Sequence, residues 1–198
     1  MFVQVIEGHT GDPAAFRALM ERWDVDVTPR AAGSLGVTAG VSADGTAIVF
    51  LRFADETAAV ASGELVERRA WTEDLLTTFG GPPSMDGSGD VALLLDGGAD
   101  DADFVQVVRA VTPDRARIDA LMTPDRIAAV QRSRPNLIGS VRVWLADGSF
   151  VEAAYFTNES AARDAEQSDD YERAEEEFAA AYGPMTFVDL PAPILLSP

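Results

Sequence analysis

The chain has 198 residues, 47% of them hydrophobic, a formal net charge of −18 and an isoelectric point near 4.2. That composition excludes a disordered chain and makes phosphate backbones and anionic lipid surfaces poor partners. All 15 basic residues are arginine and there is no cysteine, which excludes Schiff-base lysine chemistry, lysine-dependent phosphate loops, disulfides and thiolate ligands.

The first half opens with a strand from Phe2 to Glu7, bounded by Gly8. Asp12 is a good N-cap and Pro13 fits the first helical position. Phe16, Leu19, Met20 and Trp23 then fall on one apolar stripe. After a Pro-, Ala- and Gly-rich loop, Leu35–Ser42 and Thr46–Phe53 read as a hairpin, with Asp44-Gly45 as a two-residue turn. Helical sequence runs from Asp55 to Phe79 with a break near Ser62-Gly63, and Gly80-Gly81-Pro82-Pro83 stops it. A loop at Asp86-Gly87-Ser88-Gly89 leads to a last strand, Val91–Leu95.

The second half repeats this order. It reads as a strand at Phe104–Val111, helices at Pro113–Met122 and from Thr123-Pro124 to Gln131, and a hairpin of Leu137–Leu145 with Ser149–Phe156 about Asp147-Gly148. A long helix over Asn158–Tyr182 and a strand at Met185–Leu190 follow. The repetition is visible in the residues. Phe2-Val3-Gln4-Val5 returns as Phe104-Val105-Gln106-Val107, and Ala18-Leu19-Met20 as Ala120-Leu121-Met122, both offset by 102. Ala43-Asp44-Gly45-Thr46 returns as Ala146-Asp147-Gly148-Ser149 at an offset of 103. The expected domains are therefore residues 1–96 and 102–198, joined by a polar linker at 97–101. The acidity is shared, since residues 1–98 and 99–198 each carry −9.

Each half thus reads β-α-β-β-α-β, the ferredoxin-like order, an α+β unit whose sheet has helices on one face and leaves the other bare. Two copies in one chain can press those faces together as a pseudo-two-fold barrel. In order, unit length and tandem arrangement, the chain resembles the dimeric α+β-barrel superfamily. Within it, the chain is most similar to antibiotic-biosynthesis-monooxygenase-like domains, here fused as a pseudo-dimer. The resemblance covers the whole chain and rests on topology rather than a sharp motif. It implies a pocket between the sheet and helices of a unit. The activities it brings to mind are cofactor-free oxygenation of phenolic polycycles and haem degradation.

Candidate residues are read against that pocket. Gln4 and Gln106 take matching places on the two first strands, and the resemblance matches them to a pocket-facing amide. On the last helix of the first half, Arg68 and Thr72 lie inside an apolar face made by Leu65, Trp71, Leu75, Leu76 and Phe79. In the second half Tyr171, Phe178 and Tyr182 form the corresponding face, with Glu175 inside it. Arg68, Tyr171 and Glu175 are the candidate catalytic groups, and Gln4, Trp71, Thr72 and Gln106 the candidate substrate contacts. The competing reading sends Arg68 to solvent along its stem, leaves Glu175 in a solvated acidic run and makes Trp71 plain core. Trp71 is similar to a substrate-stacking tryptophan of some oxygenases in the family, but Glu67 stands four residues before it where one family pattern has Asn.

His9 is the single histidine and reads as a surface loop residue. With no second histidine and no cysteine, no metal is expected. Neither last helix carries the axial histidine of the haem-degrading relatives, so no haem or other cofactor is expected either. Arg142 and Glu152 are charges inside the second hairpin. A two-residue turn would place Arg142 opposite Ala153 and Glu152 opposite Val143, on different faces.

Two functions follow as expectations. One is a cofactor-independent monooxygenase-like enzyme of secondary metabolism acting on a small aromatic or apolar compound. The other is a non-catalytic small-molecule-binding or structural protein with one or both pockets degenerate. The expected state is a monomeric pseudo-dimer open to further self-association, without nucleic-acid or membrane partners. The opening Met1-Phe2-Val3-Gln4-Val5 has neither a basic region nor an apolar signal core, so the expected location is the cytoplasm.

Overall fold

The computed structural model describes residues 1–98, 100–111, 113–166 and 179–197. The chain divides into two compact units, residues 1–91 with 190–198, and residues 92–189. Each is an α+β unit on a five-stranded sheet.

The first unit begins with β1 (Phe2–His9) and α1 (Pro13–Arg22), whose N-cap Asp12 accepts from the Ala15 amide at 2.9 Å. A short π-helical segment, Trp23–Val27, continues α1 and turns Trp23 and Val27 into the core. Then come β2 (Ser34–Val41), β3 (Thr46–Phe53), α2 (Glu56–Gly63), α3 (Val66–Thr78) and β4 (Ser84–Ser88). The break expected near Ser62-Gly63 is the α2–α3 junction. On the helix-facing side, Ile6, Val49 and Ala39 form one cross-strand row, and Gln4, Leu51 and Val37 the next. Phe16, Met20, Trp23, Trp71 and Leu75 close over them as one continuous core. Val3, Val5, Ile48 and Phe50, on the opposite face, are buried as well.

The second unit contains β5 (Val91–Leu94), β6 (Phe104–Ala110), α4 (Arg115–Leu121), α5 (Pro124–Ser133), β7 (Leu137–Trp144), β8 (Phe150–Phe156), α6 (Glu159–Glu166) and β9 (Met185–Leu190). Asp114 and Thr123 cap α4 and α5. The chain ends in β10 (Ile194–Leu196), which belongs to the first unit.

Three expectations change. The first repeat's last strand is Ser84–Ser88, where a loop had been expected, because this segment pairs antiparallel with β1. Val91–Leu94 instead joins the second sheet, ordered β5-β7-β8-β6-β9, and the C-terminal β10 joins the first, ordered β10-β2-β3-β1-β4. The two tail strands are thus exchanged between the repeats expected at 1–96 and 102–198, and the compact units divide at 91/92 and 189/190. The third change is in both hairpin turns. Ser42 pairs with Thr46 and Leu145 with Ser149, each through an amide-to-carbonyl bond of 2.9 Å. The loops therefore have three residues, Ala43-Asp44-Gly45 and Ala146-Asp147-Gly148, with Gly45 at φ 89° and Gly148 at φ 86°. A two-residue type I′ turn would need positive φ at the aspartate as well, and neither Asp44 nor Asp147 has it.

Candidate functional site

The corrected turn has a direct chemical result. Shifting the register by one residue moves a side chain to the other face, and Arg142 now lies opposite Glu152. Arg142 Nε donates to Glu152 Oε2 at 2.8 Å, and Nη2 lies 2.6 Å from the same oxygen. Ser140 Oγ donates to Glu152 Oε1 at 2.6 Å, and Arg142 Nη2 also donates to the Tyr182 hydroxyl. The guanidinium sits 4.7 Å over the Phe150 ring and 5.0 Å over that of Tyr182. Burial works to lower the Arg142 pKa, but the charge of Glu152 and the contact with Tyr182 hold it above the usual arginine value. Burial, and then the Glu152 charge, push the Tyr182 phenol up, so it stays protonated at neutral pH.

This network forms part of the wall of a cavity of about 180 Å3 inside the second unit. The sheet contributes Gln106, Ser140, Arg142, Glu152, Ala154 and Phe156. The helical side contributes Leu121, Met122, Ile127, Val130 and Tyr182, with Arg126 and Arg134 adding positive charge. Among the described residues of this wall three arginines stand with one carboxylate, Glu152, although the protein as a whole is strongly acidic. Two apolar clusters flank the polar row. One is built on Ile118, Leu121, Trp144 and Phe150, the other on Phe104, Leu137, Phe156 and Ala162. Few polar groups in a mostly apolar wall suit a small-molecule pocket.

Along the cavity wall Ser140 and Ala154 are smaller than their first-unit counterparts, whereas Arg142 and Glu152 are larger. By the repeat offset, Arg142, Glu152, Ser140 and Ala154 correspond to Ala39, Val49, Val37 and Leu51. Trp23 corresponds to Asp125 and Trp71 to Ala174, the latter outside the described residues. In the first unit both indoles are fully buried, 4.8 Å apart in an edge-to-face contact, and Trp71 Nε1 donates to the Leu19 carbonyl at 2.9 Å.

The candidate residues divide between the units. Arg68 does not reach solvent; it is 6% exposed, with its guanidinium 5.0 Å over Trp23 and 4.8 Å over Trp71. It donates to Thr72 Oγ1 and, at 3.5 Å, to Gln4 Oε1. Burial without a carboxylate partner pulls its pKa down to about 10. Gln4, Arg68, Trp71 and Thr72 are thus brought together, but bonded and stacked on one another. Gln106 lines the second-unit cavity and donates from Nε2 to Asp189 Oδ1 at 3.1 Å. Tyr171 and Glu175 lie outside the described residues. His9 is exposed. Among the described residues no group of three or more His, Asp or Glu side chains converges as a metal site, and no helix is long and apolar enough to cross a membrane. Sequence reasoning left Arg142, Glu152, Ser140 and Tyr182 out of the site. The signal for the first two was the Ala-Asp-Gly loop length, which sets the register.

No protein-family model matches the chain, and no curated protein matches it in sequence. Solved structures do match. A candidate monooxygenase from Fusobacterium nucleatum superposes with TM-score 0.77 at 8% identity, over 99% of this chain and 94% of that one. A candidate monooxygenase from Lactobacillus acidophilus gives TM-score 0.69 at 14% identity, over 99% of both chains. An anthrone oxidase-like protein gives 0.66 at 16% identity, over all of this chain and 91% of that one. At these identities the likeness is one of fold, and over its full length the chain has the tandem ferredoxin-like α+β fold of these monooxygenase-like proteins.

Proposed function

We propose that the protein is a cofactor-independent monooxygenase-like enzyme that works from its second unit on a small aromatic or otherwise apolar compound with an acidic O–H or C–H group. The observation that carries this reading is the cavity of about 180 Å3 with the Arg142–Glu152–Ser140–Tyr182 network in its wall. In such a reaction the substrate is the electron donor and dioxygen the oxidant. A CH2 group and O2 give C=O and water, with no outside reductant. The protein has to hold the substrate, favour its anion and keep bulk water away. Arg142, with the flanking Arg126 and Arg134, supplies positive charge for an enolate or phenolate. That is the role the sequence suggested for Arg68, which here is sealed against two indoles. Tyr171 and Glu175, which lie outside the described residues, are retained as proposed contributors.

The full-length likeness to candidate monooxygenases and to an anthrone oxidase-like protein supports the same reading. One observation favours a non-catalytic binding protein instead: both Glu152 oxygens already accept from Arg142 and Ser140, so this carboxylate is poorly placed as a base. A thermal-shift screen of phenols and anthrones, followed by oxygen uptake with 18O2 on each hit, decides between them. The enzyme reading expects a stabilising compound that consumes one O2 per molecule and gains one labelled oxygen. Stabilisation without uptake favours the binding protein. No stabilising compound at all overturns both.

A further inference from the structure

Gln106 is the polar group of the cavity whose orientation is set by chemistry. Its Nε2 lies 3.1 Å from Asp189 Oδ1. A carboxylate oxygen only accepts, so the amide nitrogen must face Asp189, and the amide oxygen must face away from it. Asp189 is itself held, since Arg163 donates to its second oxygen and also reaches Glu159 at 3.5 Å. The outer arm of this chain stands at the sheet edge, and Gln106, 9% exposed, lines the cavity. Gln106 therefore acts as a fixed acceptor rather than an adaptable amide.

The first unit shows what such an acceptor takes. Gln4 stands at the same repeat position, and its Oε1 accepts from Arg68, a flat group stacked on Trp23 and Trp71. There the chain supplies from its own last helix a planar donor facing the strand amide. In the second unit Leu121 and Met122 correspond to Leu19 and Met20 and line the cavity where the first unit is filled.

We infer that Gln106, locked by Asp189, selects a flat ligand carrying a hydrogen-bond donor, such as a phenolic hydroxyl, over the same molecule without it. Asp189 is a positioning residue in this scheme. The inference rests on the cavity of the second unit being the ligand site. A polar group built to pair with a donor discriminates strongly against the analogue that leaves it unpaired.

The test is a matched pair, 2-naphthol and 2-methoxynaphthalene, titrated calorimetrically into the full chain. Wild type should bind the naphthol about tenfold or more tightly, the worth of one buried hydrogen bond. Gln106→Met should bring the two affinities together while the ether binds about as before. Asp189→Asn should narrow the gap too, because an asparagine can present either end of its amide and lets Gln106 turn over. A purely structural role would weaken both ligands equally and leave their ratio unchanged. Equal wild-type affinities, or a preference that survives in both variants, overturns the inference while leaving the cavity as a site. Binding of neither compound overturns the cavity reading and the inference with it.

Discussion

Gly36 and Gly139 stand one repeat apart and meet the same constraint, each in its own unit. Gly36 has φ 116°, and a Cβ there would lie 2.1 Å from the Leu196 carbonyl oxygen; one on Gly139 would lie 1.8 Å from that of Gly97. Both follow a register shift, in β2 and β7. The chain segments they admit are the exchanged tails, which enter the two sheets beside β2 and β7. A backbone oxygen cannot swing aside as a flexible side-chain tip can, so glycine is needed at both positions.

Gly36→Ala and Gly139→Ala should therefore each destabilise by about 1–3 kcal/mol or more, the range for forcing extra atoms into a packed site. Gly63→Ala is the control, since a Cβ there meets nothing within 4 Å and the residue ends α2. It should leave stability within about 1 kcal/mol of wild type. Urea denaturation of the three variants checks this. If Gly139→Ala behaved like Gly63→Ala, the close approach of the residue 97 carbonyl would be wrong.

The order of strands and helices was legible because it rests on local signals. Asp12 and Thr123 cap as their sequences suggest, the helix expected from Pro113 starts at Arg115 behind Asp114, and the apolar stripe of Phe16, Leu19 and Met20 is buried. The tail exchange was not legible, because Val91–Leu94 has the same pattern whichever sheet it joins. The pocket was half legible. Trp23 and Trp71 have no tryptophan counterpart in the second repeat, and Gln106 lies on a strand that lines the cavity. The charge in the cavity wall was obscured by one residue of loop length, because Asp-Gly suits two- and three-residue turns alike. Arg68 was read correctly as lying inside an apolar face, but the sequence could not tell that Trp23 would come round to enclose it.

The Arg142–Glu152 pair allows a double-mutant cycle. Their side chains are only 6% and 11% exposed. Glu152→Val alone should cost about 3–5 kcal/mol, because it strands a buried guanidinium. Arg142→Met with Glu152→Val moves this row toward the apolar composition of Ala39 and Val49. It should lie within about 2 kcal/mol of wild type, since replacing a whole buried pair by apolar groups is often near neutral. Denaturation of the wild type, both single variants and the double variant gives the coupling. Additive losses would mean that the two side chains do not pair in solution.

Tyr182 gives a pH dependence of defined sign. Its folded pKa is raised, chiefly by burial and then by the Glu152 charge. The unfolded chain therefore releases the phenol proton first, near its ordinary value of about 10. The Tyr182 contribution is complete below that pH and is lost as pH rises toward the folded value, at about 1.4 kcal/mol per pH unit. Near pH 7 wild type should exceed Tyr182→Phe by about 1 kcal/mol, from the bond with Arg142. Above pH 10 this advantage should shrink and then reverse. Parallel urea melts of the two proteins from pH 8 to 11 measure it. A constant difference across the range would show that Tyr182 is not buried against the ion pair.

Ala154 tests the location of the site with the protein's own chemistry. It lies in the cavity wall between Gln106 and Ser140, and its counterpart in the filled first unit is Leu51. Ala154→Leu puts three further carbons into the cavity of about 180 Å3 while Arg142, Glu152 and Gln106 stay unsubstituted. Filling a cavity of this kind commonly stabilises by about 0.5–2 kcal/mol, so the variant should melt at a higher temperature than wild type. It should also stop binding any aromatic compound that stabilises wild type, because the ligand and the leucine need the same volume. Melting curves with and without such a compound separate the two effects. A variant that is more stable and still gains the full ligand-induced shift would place the site elsewhere. A variant that loses stability would mean that the wall cannot accept a leucine side chain and that the second unit is packed more tightly than its cavity implies.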